Sequence, residues 1–208
     1  MRQFAETGVV AIDLANTWDE YLDDPERLPD AAELRRFRHE LGDPDGDQSD
    51  GDQGDGDQGD GDQGDGDQGD GDQGDGDQGD GDLRAVREVR ARLREVLAEE
   101  PAGRARALAE WVAELPLRAG IEEAGGVPRL RLVAPEGAAP ALRLAVRAVT
   151  ELLEIAGSGD WERLRQCAAT PCTDAFVDRS RPGRRQFCST RCANRAHAQA
   201  SRARRPLT

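Results

Sequence analysis

The chain has 208 residues and a mass of 22.5 kDa, with 34% charged and 4% aromatic side chains, a mean hydropathy of −0.75 and a formal net charge of −14. Taken as one average, those values suit a poorly folding acidic chain, but the acid is concentrated in one place. Residues 43–82 contain only Gly, Asp and Gln apart from one Pro and one Ser, and 17 of those 40 are Asp. The other 168 residues carry a net charge of +3, ordinary for a globular protein of one domain or two small ones. Within them, the stretch from Trp161 to Thr208 holds 11 Arg against Glu162, Asp174 and Asp178, a charge of +8. No run of 18 apolar residues exists, and the first residues, Met1 to Gly8, lack the basic and apolar regions of a signal peptide. The sequence therefore predicts a cytoplasmic protein with no membrane partner.

The first apolar run, Val9 to Thr17, is short enough to suit a strand or a helix. A helix is preferred, and it sets Asp13, Asn16 and Thr17 on one face at i, i+3 and i+4. Such a face either lines a small-molecule pocket or forms a buried polar network between helices. Asp30 and Glu33 make an Asp-x-x-Glu capping pattern ahead of a helix whose apolar stripe is Leu34, Phe37 and Leu41, with Gly42 as its stop.

Residues 43–82 then repeat Gly-Asp-Gly-Asp-Gln with a period of five from about Gly54 onward. They offer no apolar side chain to bury, glycines that lose much entropy on ordering, and mutually repelling carboxylates, so the tract is expected to be a disordered insert. Calcium binding is disfavoured. An EF-hand loop starting at Asp43 would need Gly at Gln48 and Glu at Gly54, and a calcium β-roll needs a large apolar residue in each repeat.

Helical periodicity resumes with Leu83, Val86, Arg90, Leu93 and Leu97 on one face. Pro101 and Gly103 are expected to break that helix, and Leu108, Trp111, Val112 and Leu115 mark the next. The segments Leu117 to Ile121 and Arg129 to Val133 read as a hairpin turning at Gly125-Gly126. A long helix follows, predicted to face Leu142, Ala145, Val146, Val149, Leu152, Leu153 and Ala156 inward and to end at Gly157.

All four cysteines lie within 26 residues, as Cys167-x4-Cys172 and Cys188-x3-Cys192. Two close pairs joined by a short connection suit one tetrahedral zinc ion held by four thiolates. Disulfides are disfavoured in a reducing compartment and a redox pair would need two intervening residues; an iron–sulfur cluster stays as an alternative, though such clusters usually show other spacings. Between the pairs, Ala175 to Asp178 and Arg185 to Phe187 read as two short strands around an Arg181-Pro182-Gly183 turn. Ser189 is placed to cap a helix from Thr190 to about Arg204, with Cys188 just before it and Cys192 in its first turn. Knuckle, hairpin and helix together make a treble-clef-like finger.

These residues resemble the CGNR zinc finger, whose pattern here runs Cys167, Cys172, Phe176-Val177-Asp178-Arg179-Ser180, Arg184-Arg185-Gln186-Phe187-Cys188-Ser189 and Cys192-Ala193-Asn194-Arg195. Phe187 stands where the family has Trp and Ala193 where it has Gly, and neither change removes a ligand. The body resembles the ABATE domain that accompanies this finger, through Ile12 to Thr17 and the Arg-rich helix from Leu83. The resemblance implies a stress-related bacterial transcriptional regulator.

The expected architecture is a mainly α body with a small β-hairpin (α+β) in residues 1–42 and 83–160, the acidic insert at 43–82, and a treble-clef-like four-cysteine finger in 161–208. Cys167, Cys172, Cys188 and Cys192 are the expected ligands of one structural Zn2+. Arg184, Arg185, Arg191, Asn194, Arg195, His197, Arg202, Arg204 and Arg205 are candidates for DNA contact, since Arg meets phosphate or guanine and Asn meets adenine. For Asn194 and Arg195 a structural role beside Asp178 is the alternative. The body is expected to take a small-molecule effector, with Asp13, Asn16 and Thr17 as candidates, or to self-associate. No Ser-His-Asp set, phosphate loop or carboxylate pair is visible, so no enzyme is expected.

Overall fold

The computed structural model describes residue 4, residues 6–43 and residues 74–204. The predicted disorder of the insert therefore falls mostly on 44–73, outside the described residues.

The first apolar run forms α1 (Val10–Ala15), with all six residues buried. It sits against α3 (Gly74–Ala98) and α5 (Pro140–Gly157), and these three helices enclose the core. Alongside α3 lie α2 (Ala31–Glu40) and α4 (Pro101–Glu114). The α2 cap forms as expected: Asp30 accepts the Glu33 N–H at 2.9 Å, and Leu34 and Phe37 are buried. Past its end Gly42 takes a left-handed φ of +66°, which glycine adopts without a Cβ penalty.

Three expectations change. The third helix begins at Gly74, inside the repeat, rather than at Leu83. Within the extension, a Cβ at Gly79 would lie 3.1 Å from the Cβ of Ala31, so glycine there lets α3 approach the start of α2. Gly103 lies within α4, so the break is confined to the residues just before Pro101, which occupies the first helical position. The inward face of α5 is Ala141, Leu144, Ala145, Val146, Ala148, Val149 and Leu152, while Leu153 and Ala156 are exposed. This helix is apolar over much of its circumference, and the surfaces of α1 and α3 select the stripe.

The hairpin forms from β1 (Arg118–Ala124) and β2 (Val127–Val133), with Arg118 opposite Val133 and Ala124 opposite Val127. Gly125 and Gly126 have φ of +63° and +80°, the positive values a two-residue turn between twisted strands requires. Arg131 ties it to α5 by an ion pair with Glu154 at 2.9 Å, while cross-strand partners Ile121 and Leu130 stay exposed.

In the finger, β3 (Leu164–Gln166) pairs antiparallel with β4 (Ala175–Val177), and α6 (Thr190–Ala203) closes the described chain. The predicted partner of β4, Arg185 to Phe187, is not a strand. Its Arg185 N–H is taken by the Asp178 carboxylate at 2.7 Å, and Gln186 accepts the Ala168 N–H at 2.9 Å. Leu164 and Ala175 lie in the same hydrophobic cluster as α1, α3 and α5, so the finger's hairpin shares the body's core. No helix among the described residues is long and apolar enough to cross a membrane.

Candidate metal centre

Local structure delivers the four sulfurs separately. Cys167 follows β3, where its N–H donates to the Asp174 carbonyl at 2.8 Å. Cys172 precedes β4 in the same knuckle. Cys188 donates its N–H to the Cys167 sulfur at 3.4 Å. Cys192 occupies the first turn of α6, where the Ser189 hydroxyl accepts its N–H at 3.2 Å. That Ser189 cap is the one expected from sequence, and it fixes the helix start on the metal ligand.

The four Sγ atoms lie within 4.8 Å of one another, with Cys172 to Cys188 at 3.8 Å and Cys188 to Cys192 at 3.5 Å. Zinc at about 2.3 Å from four tetrahedral sulfurs sets them about 3.8 Å apart, so the donor set fits. These separations are far longer than a disulfide bond of about 2.05 Å, and all four cysteines are free. Cys167, Cys172 and Cys192 are buried and Cys188 half-buried, which suits a closed structural site. Without a cation the cluster cannot ionise fully. Burial pushes the Cys167 thiol up to about 11, and the shared proton with Cys188 pushes Cys172 up as well. Hydrogen bonding with the Cys172 thiol, then with Cys192, holds Cys188 down at about 5. Burial, then the nearby Cys188 sulfur, raises Asp174 to about 7. A divalent cation removes this conflict by taking all four sulfurs as thiolates, with proton release.

Arginines brace the loop between the ligand pairs. Arg163 donates to the carbonyls of Asp178 and Ser180 at 3.0 and 2.8 Å, and Arg165 to that of Gly183 at 2.8 Å. Arg185 donates to the carbonyls of Phe187, at 2.7 Å, and Cys188, with its guanidinium 5.3 Å from the Phe176 ring centre. At the middle sits the buried Asp178 carboxylate. The Ser180 hydroxyl beside it and the N–H groups of Ser180 and Arg185 hold it down at about 2.

A second set joins finger to body. Asn16 both donates to the Ala175 carbonyl, at 3.0 Å, and accepts the Ala175 N–H, at 2.9 Å. Arg94 reaches Glu20 at 2.6 Å and the Thr173 hydroxyl at 2.7 Å, and Thr173 donates to Glu20. The Arg195 guanidinium lies 3.7 Å from the centre of the Tyr21 ring. Tyr21 packs against the cysteine cluster itself.

The residues expected to touch ligands divide accordingly. Asp13 accepts the N–H groups of Thr7 and Gly8 at 2.9 and 3.1 Å, and burial raises its carboxyl above the ordinary value. Thr17 is fully buried, donating to the Leu14 carbonyl at 2.7 Å and accepting from Arg90 at 3.2 Å. Asp13 and Asn16 line a cavity beside the finger; Thr17 does not. Among the DNA candidates, Arg184, Arg191, Asn194, Arg202 and Arg204 are exposed. His197 is exposed with its ring edge-on to Phe187, centroids 6.0 Å apart. Arg185 is spent on the finger's own carbonyls, and Arg195 turns toward Tyr21. Arg205 lies outside the described residues. Sequence reasoning missed Glu20, Tyr21, Arg94 and Thr173, whose partners lie far away along the chain and leave no local pattern.

Residues 163–205 match the CGNR zinc finger family. The match spans all four cysteines and the basic helix. No curated protein matches the chain.

Proposed function

Taking residues 163–205 as a CGNR zinc finger, we propose that the chain is a zinc-dependent DNA-binding transcriptional regulator, a binding protein rather than an enzyme. The free end of α6 carries this reading. The helix is pinned at its base by Cys192 and the Ser189 cap, and every residue from His197 to Arg204 is exposed. After Asp178 the chain has nine Arg and no acidic residue. A rigid cationic helix of this width enters the DNA major groove. Asn194, Arg202 and Arg204 are exposed along the helix, and His197 is exposed with its ring against Phe187. The body's resemblance to the ABATE domain supports a regulatory role for the remainder.

The test is duplex retardation across a salt series. Arg202→Ala and Arg204→Ala are each expected to lower the log–log salt slope by about one, with little change in sequence preference. Retention of no duplex, or binding insensitive to salt, favours a protein-interaction module instead.

The 12 Asp of residues 44–73 share a molecule with the +8 tail and compete with DNA for it. Deleting 44–73 is expected to tighten DNA binding at low salt, with the gain shrinking as salt rises. The deletion spares Asp43, which pairs with Arg38 at 2.7 Å and Arg143 at 3.3 Å, and all of α3. An unchanged affinity at low salt refutes the competition.

A further inference from the structure

A cavity of about 480 Å³ lies where finger meets body, walled by the N-terminal segment, the end of α1, the loop around Asp19 to Arg27 and the start of α6. Its size is that of a small-molecule site. Four carboxylates line it, and each is engaged. Asp13 accepts two backbone N–H groups, and Asp19 accepts the Tyr21 N–H at 3.0 Å. Glu6 pairs with Arg27 at 3.9 Å, and the Asp174 carboxyl lies 3.4 Å from the Cys188 sulfur.

The donors are different. The Nη1 of Arg195 and the hydroxyl of Tyr21 are buried without a well-formed hydrogen bond, the hydroxyl lying beside Arg195 and the Cys192 sulfur, and both residues line the cavity. Arg191, one helical turn before Arg195 and on the same side of α6, lines it too and carries no ion pair or hydrogen bond among the described residues. Buried donors are almost always satisfied, so an unmet guanidinium N–H and an unmet hydroxyl on one wall mark a place for an acceptor. Two guanidinium groups and a phenol lining one cavity match a carboxylate or phosphate group, which accepts several N–H and O–H bonds at once.

We infer that this cavity is a binding site for a small oxyanion, a carboxylate or a phosphate, held by Arg191, Arg195 and Tyr21 between the body and the base of α6. Asp13 and Asn16 shape the wall without supplying the charge. The site stands independently of DNA recognition, and its test contains no DNA.

The zinc-loaded full chain is titrated calorimetrically with inorganic phosphate and, separately, with succinate, alongside thermal melts. Saturable one-to-one binding of at least one anion, with a raised melting temperature, is expected; which anion binds distinguishes the two chemistries. Tyr21→Phe keeps the ring under Arg195 but removes the hydroxyl, and Arg191→Gln removes one guanidinium. Each is expected to weaken binding at least tenfold, on the order of the loss of one charge-assisted hydrogen bond. Arg181→Gln removes the same charge from an exposed position elsewhere on the finger and is expected to leave binding unchanged. Zinc content is measured in every variant, so that a lost finger is not read as a lost site. The inference is overturned if neither anion binds saturably, if Tyr21→Phe binds as the parent does, or if Arg181→Gln weakens binding as much as Arg191→Gln.

Discussion

Stripping zinc from the purified chain is expected to lower the melting temperature of the whole protein and not only to loosen its carboxyl-terminal finger. In small zinc peptides the metal contributes about 10–16 kcal/mol apparent, comparable with the entire stability of an ordinary domain. The finger buries few apolar side chains of its own beyond the cysteine cluster, so without the ion its knuckle and the start of α6 keep only surface-level contacts: Thr173 with Arg94 and Glu20, the Ser189 cap, and Arg195 over Tyr21. Leu164 and Ala175, however, lie in the body's core, and Asn16 bonds both backbone groups of Ala175. Losing them removes about 3 kcal/mol from the body by burial and hydrogen bonding. For a chain of this size that is roughly 6–12 °C. Scanning calorimetry with and without chelator, paired with elemental analysis for one zinc per chain, checks this. Cys192→Ser should reproduce the chelated trace. A body transition that does not move would show that the shared core counts for little.

Arg90→Ala is expected to cost about 3 kcal/mol, because it removes both guanidinium bonds from a carboxylate already drawn from water and leaves it only Arg87, at 3.2 Å, and the Leu28 N–H. The Arg90 side chain is 7% exposed and meets both oxygens of Glu26 at 2.6 Å. It also donates to Thr17 at 3.2 Å and sits over the Trp18 ring at 5.5 Å. Burial alone would raise the Glu26 carboxyl, but Arg90 and the Leu28 N–H override it and hold Glu26 below its ordinary value of 4.5. A carboxyl held low in the folded state stabilises above its ordinary value, and that contribution is lost as pH falls through the lowered one. In Arg90→Ala the fall in stability as pH drops below the ordinary Glu26 value of 4.5 should therefore flatten or reverse. Adding Glu26→Gln should recover part of the loss, since the amide keeps an acceptor for Leu28 without a buried charge. Urea unfolding of the two single variants and the double variant measures the coupling. Strict additivity would mean the pair is not energetically linked.

What could be read from the chain beforehand follows the range of each interaction. The Asp30 cap, the Gly125-Gly126 turn, the Ser189 cap and the thiol spacing are all decided within a few residues, and the structure has each where spacing put it. Local pattern does not identify the partner of β4, because Arg185 to Phe187 looks as extended as Leu164 to Gln166. Only the burial of Leu164 in the core that α1, α3 and α5 enclose breaks the tie. The start of α3 was misplaced for a related reason: glycine is a poor helix former locally, and nothing near Gly79 announces that Ala31 will press against it. The Tyr21–Arg195 stack and the Glu20–Arg94–Thr173 cluster join segments more than 70 residues apart, so no window along the sequence contains both halves.

The paired bonds from Asn16 to Ala175 have one more effect. A strand with open amides on its outer side invites a stranger's backbone to zip on. Here one carboxamide plugs the donor and the acceptor together, acting as a stopper on the only side of β4 that β3 does not cover. Transplanting the finger to another carrier without that asparagine would export an uncorked margin, and such chimeras should clump even with their ion in place.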